Sequence, residues 1–197
     1  MKFDNSVNKF LNEQAIKRIG IFPGAFKPPH LGHFKTVQRA ATENDEVYVF
    51  ISKKEREGIT LMQSLQLWDL YKELLPPNII IKTSDITPVK DTYDLVEQLN
   101  ASPDAPNTEV TIYAGTQEDF NSRYGTFITS DKYTENLGAF HSGEIISIQP
   151  SHPTLKKLDP NKLSASALRQ VLKSGDYEAF LSALPDVDKQ KVLDIFA

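Results

Sequence analysis

Five short apolar runs alternate along this chain with stretches of helical periodicity, and that alternation restricts the fold more than any other feature. The runs are Arg18 to Phe22, Glu46 to Ser52, Asn78 to Ser84, Glu109 to Ala114 and Glu144 to Gln149. Several are dense in Val and Ile, as strands buried on both faces are, so the pattern predicts a parallel sheet with crossover helices. Helices are predicted over Leu31 to Thr42, Leu61 to Leu75 and Thr92 to Asn100. The second opens on Thr60-Leu61-Met62-Gln63, a capping-box spacing, and Pro76-Pro77 ends it. After the last strand come helices at Ala165 to Lys173, Tyr177 to Leu184 and Val187 to Phe196, punctuated by Gly175 and Pro185. Residues 101 to 108 read as a loop and 121 to 142 as a long polar connection of the kind that often closes over a ligand. Residues 1–17 are predicted as a helical extension with Phe3, Val7, Phe10 and Leu11 on one side, ahead of a main domain over 18–197.

With 197 residues, 40% of them hydrophobic, the chain can fill a single sizeable core. Its net charge of -4 argues against general attraction to nucleic acid or to anionic membranes, while a local pocket could still take a small phosphorylated ligand. The absence of cysteine excludes disulfides, zinc thiolates and thiol catalysis. No apolar run approaches the roughly 18 residues of a membrane span and residues 1 to 17 lack a signal-like core, so the expected location is cytoplasmic.

Chemistry concentrates between the first strand and the first helix, in Ile21-Phe22-Pro23-Gly24-Ala25-Phe26-Lys27-Pro28-Pro29-His30-Leu31-Gly32-His33. His30 and His33, at i and i+3, share one helical face. Pro28 and Pro29 hold the approach extended, Gly24 and Gly32 let backbone come close, and a helix start offers N–H groups to an anion. Lys27 adds a full charge. A helix end is worth about 0.3–1 kcal/mol to an anion, whereas a unit charge about 4 Å away can contribute ~4 kcal/mol, so charged groups should dominate.

The segment Gly24-Ala25-Phe26-Lys27-Pro28-Pro29-His30-Leu31-Gly32-His33 resembles the HxGH signature of the nucleotidyltransferase superfamily, which includes nicotinamide-mononucleotide and phosphopantetheine adenylyltransferases and several cytidylyltransferases. Leu163-Ser164-Ala165-Ser166-Ala167-Leu168-Arg169 is similar to that family's distal ISSTxxR-like segment, with Ser166 in the usual threonine place and Ala165 in a usual serine place. The resemblance covers residues 18 to about 175 and implies an α/β, Rossmann-like five-stranded parallel sheet of order 3-2-1-4-5, helices on both faces and a helical C-terminus. It implies transfer of a nucleoside monophosphate, AMP from ATP, onto a small phosphorylated acceptor, with pyrophosphate released and Mg²⁺ carried by the triphosphate rather than by a dedicated metal site.

On the same resemblance His30, His33, Lys27 and Arg169 are the catalytic candidates, with one or both histidines cationic or donating. Phe22, Pro23, Gly24, Ala25, Phe26, Gly32, Gly115, Ser164 and Ser166 are candidates for nucleotide binding. Lys53, Lys54 and Arg56, past the second strand, are candidates for acceptor contacts, with a solvated loop as the plainer alternative. Gly115 to Phe120 reads equally as a nucleotide-base loop or a strand-to-helix turn. The sequence departs from the family in three places: Lys27 stands where many adenylyltransferases carry Asp, Asn or Gln, Gln117 where nicotinate- and nicotinamide-type enzymes often carry an acid, and the distal motif lacks the cytidylyltransferase pattern. CTP as donor, or a nucleotide-sensing module that keeps the pocket without turnover, are the alternatives. P-loop and dinucleotide-binding Gly motifs are absent.

Overall fold

The computed structural model describes residues 15–197; the predicted extension over residues 1–17 lies outside it up to residue 14, and Lys17 already opens the first strand. The strands are β1 (Lys17–Gly24), β2 (Glu46–Ile51), β3 (Ile79–Thr83), β4 (Thr108–Ala114) and β5 (Ala139–Glu144). All pair in parallel in the order β3-β2-β1-β4-β5, with Ile21 of β1 between Tyr48 and Ile112. The winding reverses at β1 and β4, which opens a crevice above their carboxyl ends.

The helices are α1 (Leu31–Glu43), α2 (Leu61–Lys72), α3 (Pro88–Asn100), α4 (Gln117–Tyr124), α5 (Thr126–Thr129), α6 (Pro153–Leu158), α7 (Ala165–Lys173), α8 (Tyr177–Ser182) and α9 (Lys189–Phe196). Each face of the sheet carries its own core. On one, Phe22, Val47, Val49 and Ile51 meet α1, α2, α7 and α8 through Val37, Trp68, Leu168 and Phe180. On the other, Ile19, Ile21, Val110 and Ile112 meet Val96 of α3 and the aromatic group Phe120, Tyr124 and Phe127. Burial on both sides is why β2 and β3 are dense in Val and Ile.

The fifth strand differs from the expectation. The ladder with β4 runs over Ala139–Glu144, a segment without a single Val or Ile, and not over the apolar run 144 to 149. As an edge strand it has little apolar burial to gain. The apolar run instead leaves the sheet and lies along α1: Ile145 and Ile148 pack on the first core, and the Ile146 N–H donates to Thr36 Oγ1 at 2.9 Å. Two further elements were not anticipated. The long polar connection contains α5 and the second half of α4, folded over the aromatic group, and α6 is started by Pro153 and by His152, whose Nδ1 accepts from Thr154 N. Helix α3 begins a turn earlier than expected, at Pro88, with Thr87 as its cap.

Candidate active site

The turn leaving β1 is held from below by α2. Ser64 Oγ donates to the Phe26 carbonyl at 2.6 Å and Tyr71 OH to the Pro29 carbonyl at 3.0 Å. Phe26, at φ 52°, folds its ring back over Gly24, where a Cβ would come within 2.7 Å of it. The same ring stands edge-on to His33 at 5.0 Å and to Trp68 at 5.5 Å. Lys27 turns inward. Its side chain is wholly buried, with Nζ donating to the carbonyls of Ser52 at 3.0 Å and Ala25 at 3.3 Å, so it ties the ends of β1 and β2 together. Burial, and then the nearby Arg56 charge, push its ammonium down to about 8.

His30 is the N-cap of α1. Its Nδ1 accepts from Gly32 N at 3.2 Å, and the His30 N–H donates to His33 Nδ1 at 3.2 Å, so the two histidines form a reciprocal capping box. Their rings stack with centroids 3.7 Å apart. Because each Nδ1 is an acceptor, each neutral ring carries its proton on Nε2. Burial lowers His30 to about 4; burial and the neighbouring His30 hold His33 well below its usual range. This leaves an Nε2–H group on each neutral ring free to donate. The start of α1 is also less open than expected, because Leu31 N donates to Ala183 O at 2.8 Å and Gly32 N is taken by His30. Gly32 is needed for closeness, since a Cβ there would lie 3.0 Å from the Ile146 carbonyl.

The distal motif splits between two places. Ser164 caps α7 by accepting from Ala167 N at 3.2 Å, and with Ala165 it faces a cavity of about 380 Å³ that His30 and His33 also line. Arg169, one turn on, does not line that cavity. Its guanidinium is buried and engaged: Nε and Nη2 on Glu57 Oε1 at 3.0 and 2.8 Å, Nη1 on the Lys27 carbonyl at 2.8 Å. Glu57 also pairs with Lys173, and these cations hold its carboxyl below the usual range. Glu57 and Gly58 both have positive φ and form the two-residue corner between Arg56 and Ile59. Ser166 is exposed and lines none of the cavities described here. Lys53, Lys54 and Arg56 are exposed in the same loop, Lys53 paired with Asp85.

A second cavity of about 170 Å³ adjoins the first, sharing His33, Gly115 and Ile145. Phe22, Pro23, Gly24, Ala25 and Phe26 line this smaller lobe, together with Tyr113 of β4 and Asp119 and Arg123 of α4. Gly115 to Phe120 forms a strand-to-helix turn in which Thr116 caps α4, and Gly115 and Thr116 line the larger lobe. Sequence reasoning missed Ile145, Ile146 and Ser147, which line the larger lobe because the run after β5 crosses α1, and Lys162, which stands two residues before the distal cap. It also missed Arg123, paired with Asp119 at 2.8 Å and spaced i,i+4 on a helix hidden in a polar stretch. Among the described residues no group of three or more His, Cys, Asp or Glu gathers as metal ligands, and no helix is long and apolar enough to cross a membrane.

The sequence profile of the cytidylyltransferase-like family matches residues 21–171. A phosphopantetheine adenylyltransferase from Aquifex aeolicus is 35% identical over 71 residues, covering 35% of this chain and 43% of that protein. A probable nicotinate-nucleotide adenylyltransferase from Shouchella clausii is 37% identical over 94 residues, covering 43% of this chain and 48% of the relative. The chain thus spans about half the length of the curated relatives it matches, or somewhat less. Among solved structures, the nicotinic acid mononucleotide adenylyltransferase of Plasmodium falciparum complexed with APC superposes with a TM-score of 0.56 at 15% identity, over 90% of this chain and 95% of the other. A putative nicotinate-nucleotide adenylyltransferase from Vibrio parahaemolyticus gives 0.53 at 18% identity, over 92% and 100%. At such identities the likeness shows the fold.

Proposed function

The chain belongs to the cytidylyltransferase-like family, within the HxGH nucleotidyltransferase superfamily, and from that premise we propose that it moves AMP from ATP onto a small phosphorylated acceptor, releasing pyrophosphate. The observation that carries the reading is the two-lobed cavity over β1 and β4, whose lobes meet at His33 and Gly115. The larger lobe takes the triphosphate beside the first turn of α7. The smaller takes the acceptor, with Arg123 as its cation. An acceptor phosphate oxygen then attacks the α-phosphorus, and the bond from that phosphorus to the bridging oxygen of the β-phosphate breaks in the same displacement. The electron pair leaves with pyrophosphate and no covalent bond to the protein forms.

His30 and His33 contribute through their Nε2–H groups, donated to α-phosphoryl oxygens as charge builds there. A bound polyanion also favours the imidazolium form, so the rings gain proton affinity when the donor arrives. Arg169 acts at one remove in this scheme, bracing the turn through the Lys27 carbonyl, while Lys27 fixes the two strand ends. Mg²⁺ enters with the triphosphate as part of the substrate. ATP is favoured over CTP because the curated relatives and the superposed structures are named as adenylyltransferases, and one P. falciparum structure carries NaAD.

The test is a pyrophosphate-release screen of ATP and CTP, each with Mg²⁺, against nicotinamide mononucleotide, nicotinate mononucleotide, phosphopantetheine, glycerol-phosphate and choline-phosphate. Turnover with ATP and one acceptor is the expected result. ATP binding without turnover on any acceptor would replace the enzyme with a sensor.

A further inference from the structure

The two edges of the sheet are unlike. The edge strand β5 carries no Val or Ile, whereas β3, at the opposite edge, reads Ile79-Ile80-Ile81-Lys82-Thr83. A row of open backbone groups on so apolar a strand is a template for another strand, and chains normally blunt it with charge. Lys82 does not do so here: it is folded back over the Tyr48 ring of β2, with Nζ 5.1 Å from the ring centroid.

The open groups can be identified. Val47 N–H donates to Asn78 O at 2.9 Å and Ser84 N–H to Ile51 O at 2.8 Å, so in the parallel register of β2 and β3 the even-numbered residues 78 to 84 bond inward. Ile79, Ile81 and Thr83 therefore turn N–H and C=O outward, and no loop, cap or side chain among the described residues bonds to them. The free run is bounded at both ends. Pro77 has no N–H to give, and the Asp85 N–H is already on Asp91 Oδ2 at 3.1 Å.

We propose that this edge pairs antiparallel with β3 of a second copy of the chain, about a two-fold axis at Ile81. In that register Ile81 faces Ile81 and Ile79 faces Thr83, each pair exchanging both bonds, so every open group is used and no like charges stand opposite each other. A one-residue slip would set outward groups against inward ones. Antiparallel pairing also brings the end of one strand, beside Ile86, to the start of the other, beside Leu74. Ile86 is the most exposed large apolar side chain among the described residues, at 74%, and Leu74 is exposed as well. The crevices over β1 and β4 of the two copies then open in opposite directions. The inference stands apart from the transfer reading, and its test uses no substrate.

The test is sedimentation equilibrium of the full chain up to about 100 μM, a range that detects association of ordinary strength. The expected mass is that of two chains. Thr83→Pro removes an outward N–H and spares every bond to β2, so circular dichroism should stay unchanged while association weakens about tenfold or more. Because the chain has no cysteine, Ile81→Cys gives a clean second measurement. Residues in a hydrogen-bonded antiparallel pair have Cα atoms about 5.5 Å apart, within disulfide range, so mild oxidation should cross-link Ile81→Cys and leave Met62→Cys, exposed on α2, as single chains. A parent of single-chain mass would overturn the proposal and leave the edge to a strand from another protein. A dimer undiminished in Thr83→Pro, or cross-linked through Met62→Cys and not through Ile81→Cys, would overturn it by placing the interface elsewhere.

Discussion

The stacked imidazoles of His30 and His33 do two jobs with four nitrogens: the Nδ1 atoms close the start of α1, and the Nε2 atoms are left as donors. This arrangement has a pH cost of definite sign. The folded protein takes up a proton on His30 only near pH 4, whereas the unfolded chain does so near 6.5. Between these values the unfolded state binds more protons, so stability is full above about pH 6.5 and is lost as pH falls through about 4, by about 3 kcal/mol for this residue. Urea unfolding at about pH 7 and pH 4.5 should show the loss, and His30→Asn, which keeps an acceptor at the cap, should show less of it. Equal losses in the two proteins would refute the assignment. For chemistry, His33→Ala should lower pyrophosphate release by roughly two to three orders of magnitude while the far-ultraviolet spectrum is retained; near-normal turnover would remove the ring from the reaction. The spacing of the two histidines was plain in the sequence. Their mutual capping was not, because i,i+3 spacing says which face the rings share and not which nitrogen is occupied. Nor could spacing show that Lys27 turns onto Ser52, or that Glu57, 112 residues before Arg169, would neutralise it.

Thr36 is the joint between α1 and the segment after β5. Fully buried, its Oγ1 donates to Gly32 O at 2.8 Å and accepts from Ile146 N at 2.9 Å, which keeps Ile145 to Ser147 against the histidine turn. Thr36→Val preserves shape but leaves the Ile146 amide without its partner. Unfolding free energy should fall by about 1–3 kcal/mol, and KM for both substrates should rise, because the displaced segment lines both lobes at Ile145. A stability loss with both KM values unchanged would mean that the segment does not shape the site. This element also shows where sequence pattern gave out. The Ile-rich run after residue 144 has the composition of a buried strand, and its burial is real, but α1 provides it rather than β4. Periodicity reports that a segment is covered and not by what. The first four strands, α1 and the start of α2 were legible because their apolar faces, caps and prolines agree on the same boundaries.

At the scale of the whole molecule, the winding reversal between β1 and β4 places a turn from the front of the chain and a helix start from near its end on the walls of one crevice. The two cores fix the sheet from both sides, so the crevice lies over rigid strand ends while its walls come from loops and first turns. Family and strand order were readable from two short motifs in the right order. The division of the crevice into two lobes was not, since it depends on α4 and on the run after β5, neither of which bears a motif. If donor and acceptor occupy adjoining lobes that meet at His33, transfer is a single in-line displacement. The most direct test is the stereochemical course at the α-phosphorus, followed with a donor made chiral there by sulfur and oxygen isotopes. Inversion is the predicted result; retention would require a covalent protein intermediate and would contradict the direct meeting of two substrates in this cleft.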